Sequence, residues 1–219
     1  MRTIALVTQK GGSGKSTLAS SLAVAAHEAG ERVFIIDMDP QASLVRWFKN
    51  REDKEVAVES VTPGKLGAAM RALEKAGVTL VIIDTPGTES NAAEAAMKAA
   101  DLCIIPARPN VFDLWASETT RKSLRSLRKE YAFLLTQCPP VQQSARVQQG
   151  AQALQAMGGL LTPMIVSRAD YQDASREGMG VTEYAPSGAA ADEMRKLWRD
   201  VKRRMAQGKS GSSSKKKAA

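Results

Sequence analysis

The stretch that decides the fold is Ile4-Ala5-Leu6-Val7-Thr8-Gln9-Lys10-Gly11-Gly12-Ser13-Gly14-Lys15-Ser16-Thr17, an apolar run followed by a glycine-rich segment. The apolar run predicts a buried strand, and the residues from Ser16 onward predict a helix. Glycines between a strand and a helix let backbone N–H groups turn inward towards phosphate oxygens, and the positive end of the helix dipole adds to the attraction. The pattern therefore predicts a phosphate-binding loop, with nucleotide contacts from Lys10, Gly11, Gly12, Ser13, Gly14, Lys15, Ser16 and Thr17.

The polar side chains of this loop suggest distinct roles. Lys15 can neutralise the β- and γ-phosphates of a nucleotide, and the Ser16 hydroxyl can ligate Mg²⁺. The strict pattern G-x-x-x-x-G-K-[ST] fails at its first position, which is Gln9. A second lysine, Lys10, instead heads the segment K-G-G-x-G-K-[ST]. The spacing still indicates a phosphate site, but of an unusual kind.

Short β-branched apolar runs alternate with helical patterns along the rest of the chain. This alternation predicts an α/β fold with a mostly parallel central sheet flanked by helices on both faces, as in P-loop NTPases. The predicted strands are residues 4–7, 33–36, 80–83, 102–105, 133–135 and 164–166. The predicted helices are residues 16–29, 64–76, 90–99, 116–128, 145–157 and 192–207.

Length and composition bound the class of protein. The 219 residues fit one domain, expected over residues 1–207, followed by a flexible basic tail over residues 208–219. No apolar run approaches the ~20 residues of a bilayer span, so we expect no stable membrane insertion and a cytoplasmic location. The net charge of +8 favours a polyanionic partner. Cys103 and Cys138 lie in apolar runs and are expected to be buried free thiols.

Carboxylates follow two of the predicted strands. Asp37 and Asp39 come directly after residues 33–36, and Asp84 comes directly after residues 80–83. Ligands of open α/β sheets lie at the carboxyl ends of strands, so we expect these groups beside the phosphate loop. Ser16 and Asp84 are the candidate metal residues. A turn or helix cap, which the Asp39-Pro40 pair also favours, is the alternative interpretation.

The combination of Lys10, the segment Asp37-Met38-Asp39-Pro40-Gln41 and Asp84 resembles the deviant Walker A family of ParA/MinD ATPases. The resemblance implies ATP and Mg²⁺ as cofactors, with Lys10, Lys15 and Asp39 as catalytic residues. It also implies a homodimer in which Lys10 reaches the partner's phosphates, Asp39 orients the attacking water and Asp37 supports the water shell of the metal. Gln137 and Pro186 lie where the family holds the adenine base.

Later segments resemble ParA-type partition ATPases more than MinD. Gln9 before Lys10, the Gly180-to-Pro186 segment and the absence of a preceding helix-turn-helix region match small ParA proteins. That branch implies non-specific binding to double-stranded DNA, association with the nucleoid, and weak basal ATPase activity stimulated by a ParB-like or cargo-adaptor protein. The surface near residues 116–128 is a candidate docking site for this activator. The candidate DNA-binding residues are Arg168, Arg195, Arg199, Lys202 and Arg203.

The last predicted helix leaves two interpretations open. Its apolar stripe, opposite a cationic face, would suit either packing on the core or an interfacial membrane helix of the kind that ends MinD. We favour packing, because the stripe adjoins the core sequence. The stripe comprises Met194, Leu197, Trp198, Val201 and Met205. A third relative, the nitrogenase iron protein, is disfavoured because neither cysteine lies in a glycine-rich exposed loop. The cargo, whether a plasmid, a chromosome or a large protein assembly, stays open.

Overall fold

A computed structural model describes residues 1–140 and 144–215, with side chains up to residue 207. Its strands are β1 (Arg2–Leu6), β2 (Val33–Asp37), β3 (Ala57–Ser60), β4 (Leu80–Asp84), β5 (Leu102–Ala107) and β6 (Tyr131–Leu135). They form one six-stranded sheet in the order β3-β2-β4-β1-β5-β6, and every described strand pair is parallel. Helices cover both faces, so the predicted fold class is confirmed.

Two strand predictions differ from the structure. Residues 164–166 form no strand, because only isolated contacts reach them: the Ile165 N–H donates to the Leu135 carbonyl, and Val166 bridges Cys138. The true sixth strand, β3, lies at the sheet edge and ends in the exposed residues Glu59 and Ser60. An edge strand with polar residues carries no continuous apolar run, and its sequence therefore gave no signal.

Nine α-helices are described, together with a 3₁₀ turn at Pro63–Lys65. The helices are α1 (Lys15–Glu28), α2 (Ser43–Asn50), α3 (Leu66–Lys75), α4 (Asn91–Ala99), α5 (Val111–Ser126), α6 (Ala145–Gly158), α7 (Ala169–Arg176), α8 (Val181–Tyr184) and α9 (Ala189–Lys215). The sequence patterns missed α2, α7 and α8, which are short, and placed the start of α5 too late. The predicted tail begins at residue 208, and the structure describes a helical backbone there as far as Lys215. Residues 216–219 lie outside the described part of the chain. The domain boundary after residue 207 therefore stays a prediction.

The apolar stripe of α9 lies inside the protein. All five of its side chains are buried in a core cluster shared with α1 and the sheet. The packing interpretation is therefore confirmed, and this stripe offers no apolar face to a membrane. No helix in the described ranges is both long enough and apolar enough to cross a bilayer.

Both cysteines are free and buried, as predicted. Desolvation raises the pKa of the Cys103 thiol to about 12 and that of the Cys138 thiol to about 11, so both stay protonated and unreactive at neutral pH. Within residues 1–140 and 144–207, no cluster of His, Cys, Asp and Glu could hold a metal ion by itself.

Candidate functional site

The glycine-rich loop joins β1 to α1 at the carboxyl edge of the sheet. Gly12 has a φ of 73° and Gly14 a φ of 84°, in the left-handed region that glycine adopts without strain. Gly14 caps α1 without a side-chain hydrogen bond, so the first N–H groups of the helix have no acceptor within the helix. Gly11 and Gly12 are exposed, whereas the Ser13 hydroxyl is buried and has no hydrogen-bond partner in the described part of the chain. This geometry suits an anion that accepts hydrogen bonds from the loop.

Residues from two other strands hold the loop in place. The Thr136 hydroxyl donates to the Ser13 carbonyl at 2.9 Å, and the Gln137 amide donates to the Gly12 carbonyl at 2.8 Å. On the other side, a Cβ atom at Gly87 would lie 3.0 Å from the Gly11 Cα and 3.1 Å from the Gly11 nitrogen, so a larger residue there would push the loop backbone away. The family resemblance implied a base contact for Gln137, whereas the support that Thr136 and Gln137 give to the loop was not predicted.

The two lysines of the loop have different surroundings. Lys15 is buried, with 7% of its surface exposed. Desolvation lowers the pKa of Lys15, while the charges of Asp84 and Asp39 oppose that shift. Lys10 is half-buried, and its ammonium group has no partner among the described residues. Lys15 is therefore held inside the site, whereas Lys10 is free to pair with a group from outside the chain.

Ser16 and Asp84 form the candidate metal pair. In the sheet, Asp84 lies between two residues of neighbouring strands: Leu6 of β1, which precedes the loop, and Asp37 of β2. The Ser16 hydroxyl donates to Asp84 Oδ2 at 2.6 Å. Asp84 is fully buried, and desolvation raises the pKa of its carboxyl to about 7. The hydrogen bond from Ser16 opposes this shift, because it stabilises the charged carboxylate. A buried carboxylate and hydroxyl at the mouth of a phosphate loop fit the hard-oxygen chemistry of Mg²⁺.

Asp37 and Asp39 share one turn but make different contacts. Asp37 accepts hydrogen bonds from the N–H groups of Asp39, Leu44 and Val45, so it caps the start of α2. Burial nevertheless raises the pKa of the Asp37 carboxyl above its ordinary value. Asp39 is half-buried and accepts a hydrogen bond from the Gln41 N–H at 2.9 Å. Asp37 thus acts as a helix cap, and its part in a metal's water shell stays a prediction.

A pocket lies beside the loop on the side of α7 and α9. Gly14, Thr17 and Gln137 contribute to it, and contact of Gln137 with an adenine base stays a prediction. Pro186 is not among the residues described as lining it, and its carbonyl instead accepts a hydrogen bond from Arg195 at 2.6 Å. The lining is completed by Leu18, Thr136, Ile165, Val166, Ser167, Arg168, Tyr171, Gln172 and Met194, most of which local patterns did not connect to the loop.

Most of the predicted DNA-binding cations already have partners within the protein. Arg168 forms a salt bridge with Glu193 at 2.6 Å, which raises the pKa of the guanidinium further. Arg203 pairs with Asp200, and Lys202 lies 3.8 Å from Glu31. Arg195 contacts Glu28 at 3.8 Å in addition to the Pro186 carbonyl.

Arg199 differs from these cations. It is exposed, and no described residue pairs with its guanidinium. Together with Lys196 and Arg203 it lines a surface groove between α9 and the Thr162–Pro163 segment. Lys196 pairs with Asp192, and Arg203 pairs with Asp200, which also lines the groove. Lys196 and Arg203 are themselves exposed, and ion pairs at a protein surface contribute little to stability, so these cations can exchange partners for another anion. Arg199 is the one cation of the groove that has no partner among the described residues.

Comparison with known proteins agrees with this geometry. The family model described as "CobQ/CobB/MinD/ParA nucleotide binding domain" matches residues 4–208. The chain is 30% identical over 213 residues to the maintenance of carboxysome distribution protein A of Halothiobacillus neapolitanus, covering 91% of this chain and 95% of that protein.

Solved structures share the fold. The cell division ATPase MinD of Pyrococcus furiosus superposes with a TM-score of 0.76 at 19% identity, over 92% of this chain and 98% of that one. A McdA–ATP complex from Cyanothece superposes with a TM-score of 0.70 at 17% identity, over 93% and 95% of the two chains. Because this family model matches nearly the whole chain, the glycine-rich loop included, the chain belongs to the CobQ/CobB/MinD/ParA nucleotide-binding domain family.

Proposed function

We propose that this protein is a ParA-type ATPase that forms an ATP-dependent homodimer, binds DNA non-specifically in that state, and positions a plasmid, a chromosome or a large protein cargo. The observation that carries the proposal is that the phosphate loop, with its Ser16–Asp84 hydrogen bond, lies next to a Lys10 that has no partner among the described residues. The ATP complex of the Cyanothece McdA relative supports ATP as the ligand. The relative from Halothiobacillus, named for carboxysome distribution, supports cargo positioning.

The residues of one subunit divide the work of ATP hydrolysis. The loop N–H groups and Lys15 bind the phosphates, and Lys15 needs a polyanion to offset its own desolvation. Ser16 and Asp84 would hold Mg²⁺, which supplies neutralisation of the phosphate charge when bound. Asp39, on the turn between β2 and α2, orients the attacking water. Preorganised donors of this kind stabilise the developing charge without reorganisation at the moment of reaction.

Lys10 is assigned to the partner subunit's nucleotide. The Lys10 ammonium is half-buried and has no partner among the described residues of its own subunit. An anion across the interface would stabilise this charge through a charge-assisted hydrogen bond. In that position it acts on transition-state charge in the manner of an arginine finger. ATP binding and dimerisation are then one event, and hydrolysis reverses both. An activator, ParB-like or a cargo adaptor, stimulates the weak basal turnover.

DNA binding is assigned to the groove lined by Lys196, Arg199 and Arg203. Cations that contact phosphates give affinity that is independent of sequence and falls with salt. Arg168 is the least suitable of the predicted residues, because Glu193 already neutralises it. The protein is accordingly expected in the cytoplasm, on the nucleoid.

Binding experiments with the Asp39→Ala variant, which is expected to hold ATP without turnover, test this function. Fluorescence anisotropy with a labelled 50-base-pair duplex should show binding with ATP and Mg²⁺ and none with ADP. Adding Arg199→Ala and Lys196→Ala should weaken DNA affinity at least tenfold. The slope of log affinity against log salt concentration should fall by about one to two, as expected for the loss of one or two phosphate contacts. Arg125→Ala, which removes an exposed arginine of α5, is the matched control. Binding to anionic vesicles in place of DNA would support a MinD-like membrane role and contradict the proposal.

A further inference from the structure

The start of α5 presents an aromatic surface to solvent. Val111, Phe112 and Trp115 are 49%, 65% and 62% exposed, and we call these residues the α5 aromatic face. The rings of Phe112 and Trp115 pack edge to face with centroids 5.7 Å apart. The other tryptophans, Trp47 and Trp198, are 5% and 3% exposed. A contiguous exposed apolar patch of this kind marks an interaction site more often than a chance surface.

The aromatic face stands on a rigid support. The Asn110 side chain accepts a hydrogen bond from the Asp113 N–H and so caps α5. Asp113 is buried and accepts two hydrogen bonds from the Arg108 guanidinium, at 3.0 and 3.2 Å, and one from the Arg108 N–H. These bonds fix the first turn of the helix before any partner arrives. Anchors held in this way lose little conformational entropy on binding.

The same support lies against the phosphate loop. β5 pairs directly with β1, so both strands deliver their following segments to the same edge of the sheet. Arg108, which follows β5, places its Nη1 atom 3.9 Å from the position of a Cβ atom at Gly12. The α5 aromatic face, Arg108 and the exposed glycines next to Lys10 therefore form one continuous surface.

We propose that the α5 aromatic face packs against a second copy of this chain in the ATP-bound dimer; this inference rests on the proposed function. We choose a second copy as the partner because the α5 aromatic face is continuous with the phosphate loop. If Lys10 reaches the partner's phosphates, this edge of the sheet in one subunit must lie against the same edge in the other. Closed dimers are two-fold symmetric, so each subunit contributes the same patch. An aromatic pair beside Arg108 is self-complementary in this sense, since guanidinium groups pack well on aromatic rings.

The size of the face explains why the dimer would need ATP. Aromatic side chains bury roughly 150–250 Å² each, so the exposed part of Phe112 and Trp115 supplies on the order of 250 Å² per subunit. A stable interface needs about 800 Å² per partner. The aromatic face is therefore an anchor that is too small to hold two subunits without the nucleotide contacts.

Trp115 supplies an intrinsic probe, because it is the one exposed residue among the three tryptophans of the chain. The test uses the full chain carrying Asp39→Ala, with ATP–Mg²⁺ or ADP–Mg²⁺. ATP is expected to shift the tryptophan emission to shorter wavelength and to reduce acrylamide quenching at least twofold. The same protein carrying Trp115→Phe should lose this response. A Trp115 that stays fully quenchable in a demonstrated ATP dimer contradicts the inference.

Sedimentation of surface variants gives the second readout. Phe112→Ala combined with Trp115→Ala, again with Asp39→Ala, should weaken the ATP dimer at least about a hundredfold, since each substitution occurs twice in the interface. ATP affinity of the monomer and thermal stability should stay unchanged, because both rings are exposed. Lys122→Ala, which removes an exposed cation of the same helix, is the control and should dimerise normally.

The outcomes separate the two proposals. If the parent protein binds ATP and never dimerises, the proposed function fails before the aromatic face is tested. If the parent dimerises and the double alanine variant dimerises equally well, the inference about this face is wrong while the proposed function stands. In that case, Phe112→Ala and Trp115→Ala are placed in the chain that keeps Asp39, and loss of activator-stimulated ATPase activity there would assign the face to the activator instead.

Discussion

Replacing Asp84 by asparagine is expected to stabilise the nucleotide-free protein at high pH while removing the carboxylate that we propose holds Mg²⁺. Desolvation of this fully buried carboxyl raises its pKa from 3.8 to about 7. A carboxyl whose pKa is higher in the folded state lowers the free energy of unfolding as pH rises, because the unfolded chain releases its proton first. The loss begins near the unfolded pKa of 3.8 and is complete somewhat above pH 7.

The magnitude follows from the size of this shift. About three pKa units at about 1.4 kcal/mol each amount to roughly 4 kcal/mol of lost stability above pH 7, of which roughly 3 kcal/mol is lost between pH 5 and pH 8. Asparagine removes the charge, but its buried amide N–H groups lack acceptors, at a cost of about 2 kcal/mol at every pH. The variant should therefore equal the wild type near pH 5 and exceed it by roughly 2 kcal/mol at pH 8.

Urea unfolding in EDTA without nucleotide measures this difference, with the buried Trp47 and Trp198 as fluorescence probes. Glu52→Gln, which removes an exposed acid, should show a difference from wild type that is small and independent of pH. Adding Mg²⁺ and ATP should reverse the order of stability, since only wild type can bind them productively. A difference between Asp84→Asn and wild type that stays constant from pH 5 to pH 8 would refute the reasoning.

Three shorter predictions address two further site residues and one buried ion pair. Lys10→Ala should bind ATP with nearly unchanged affinity in equilibrium titration but give no ATP dimer and no hydrolysis, because its ammonium has no partner in its own described chain. Asp39→Ala should bind ATP and dimerise while hydrolysis falls at least a hundredfold, and normal turnover in a phosphate-release assay would remove its assigned role. Glu183→Gln should lower the free energy of unfolding by about 2 kcal/mol, because the buried Arg51 loses the carboxylate that it contacts at 2.6 Å; equal urea midpoints would contradict this.

Features that depend on neighbours along the chain could be predicted from the sequence. Glycine spacing between a strand and a helix is sufficient for the left-handed turns at Gly12 and Gly14, because only backbone sterics are involved. Continuous apolar runs predicted the buried strands β1 and β4, and the end of the second run predicted the position of the carboxylate at the end of β4. By contrast, the polar edge strand β3 and the four-residue helix α8 lack any periodic signal and are held by contacts with distant segments.

The sequence by itself determined the phosphate loop, the two lysines and the acidic residues that complete the site, since each lies within a short segment whose chemistry is local. Only the tertiary structure decided how charges and apolar surfaces are used. It paired Arg168 with Glu193 while leaving Arg199 free of any described partner, and it buried the stripe of α9 while exposing Phe112 and Trp115. Pairing and burial depend on which segments meet across the fold, and a composition or a helical period carries no information about that meeting.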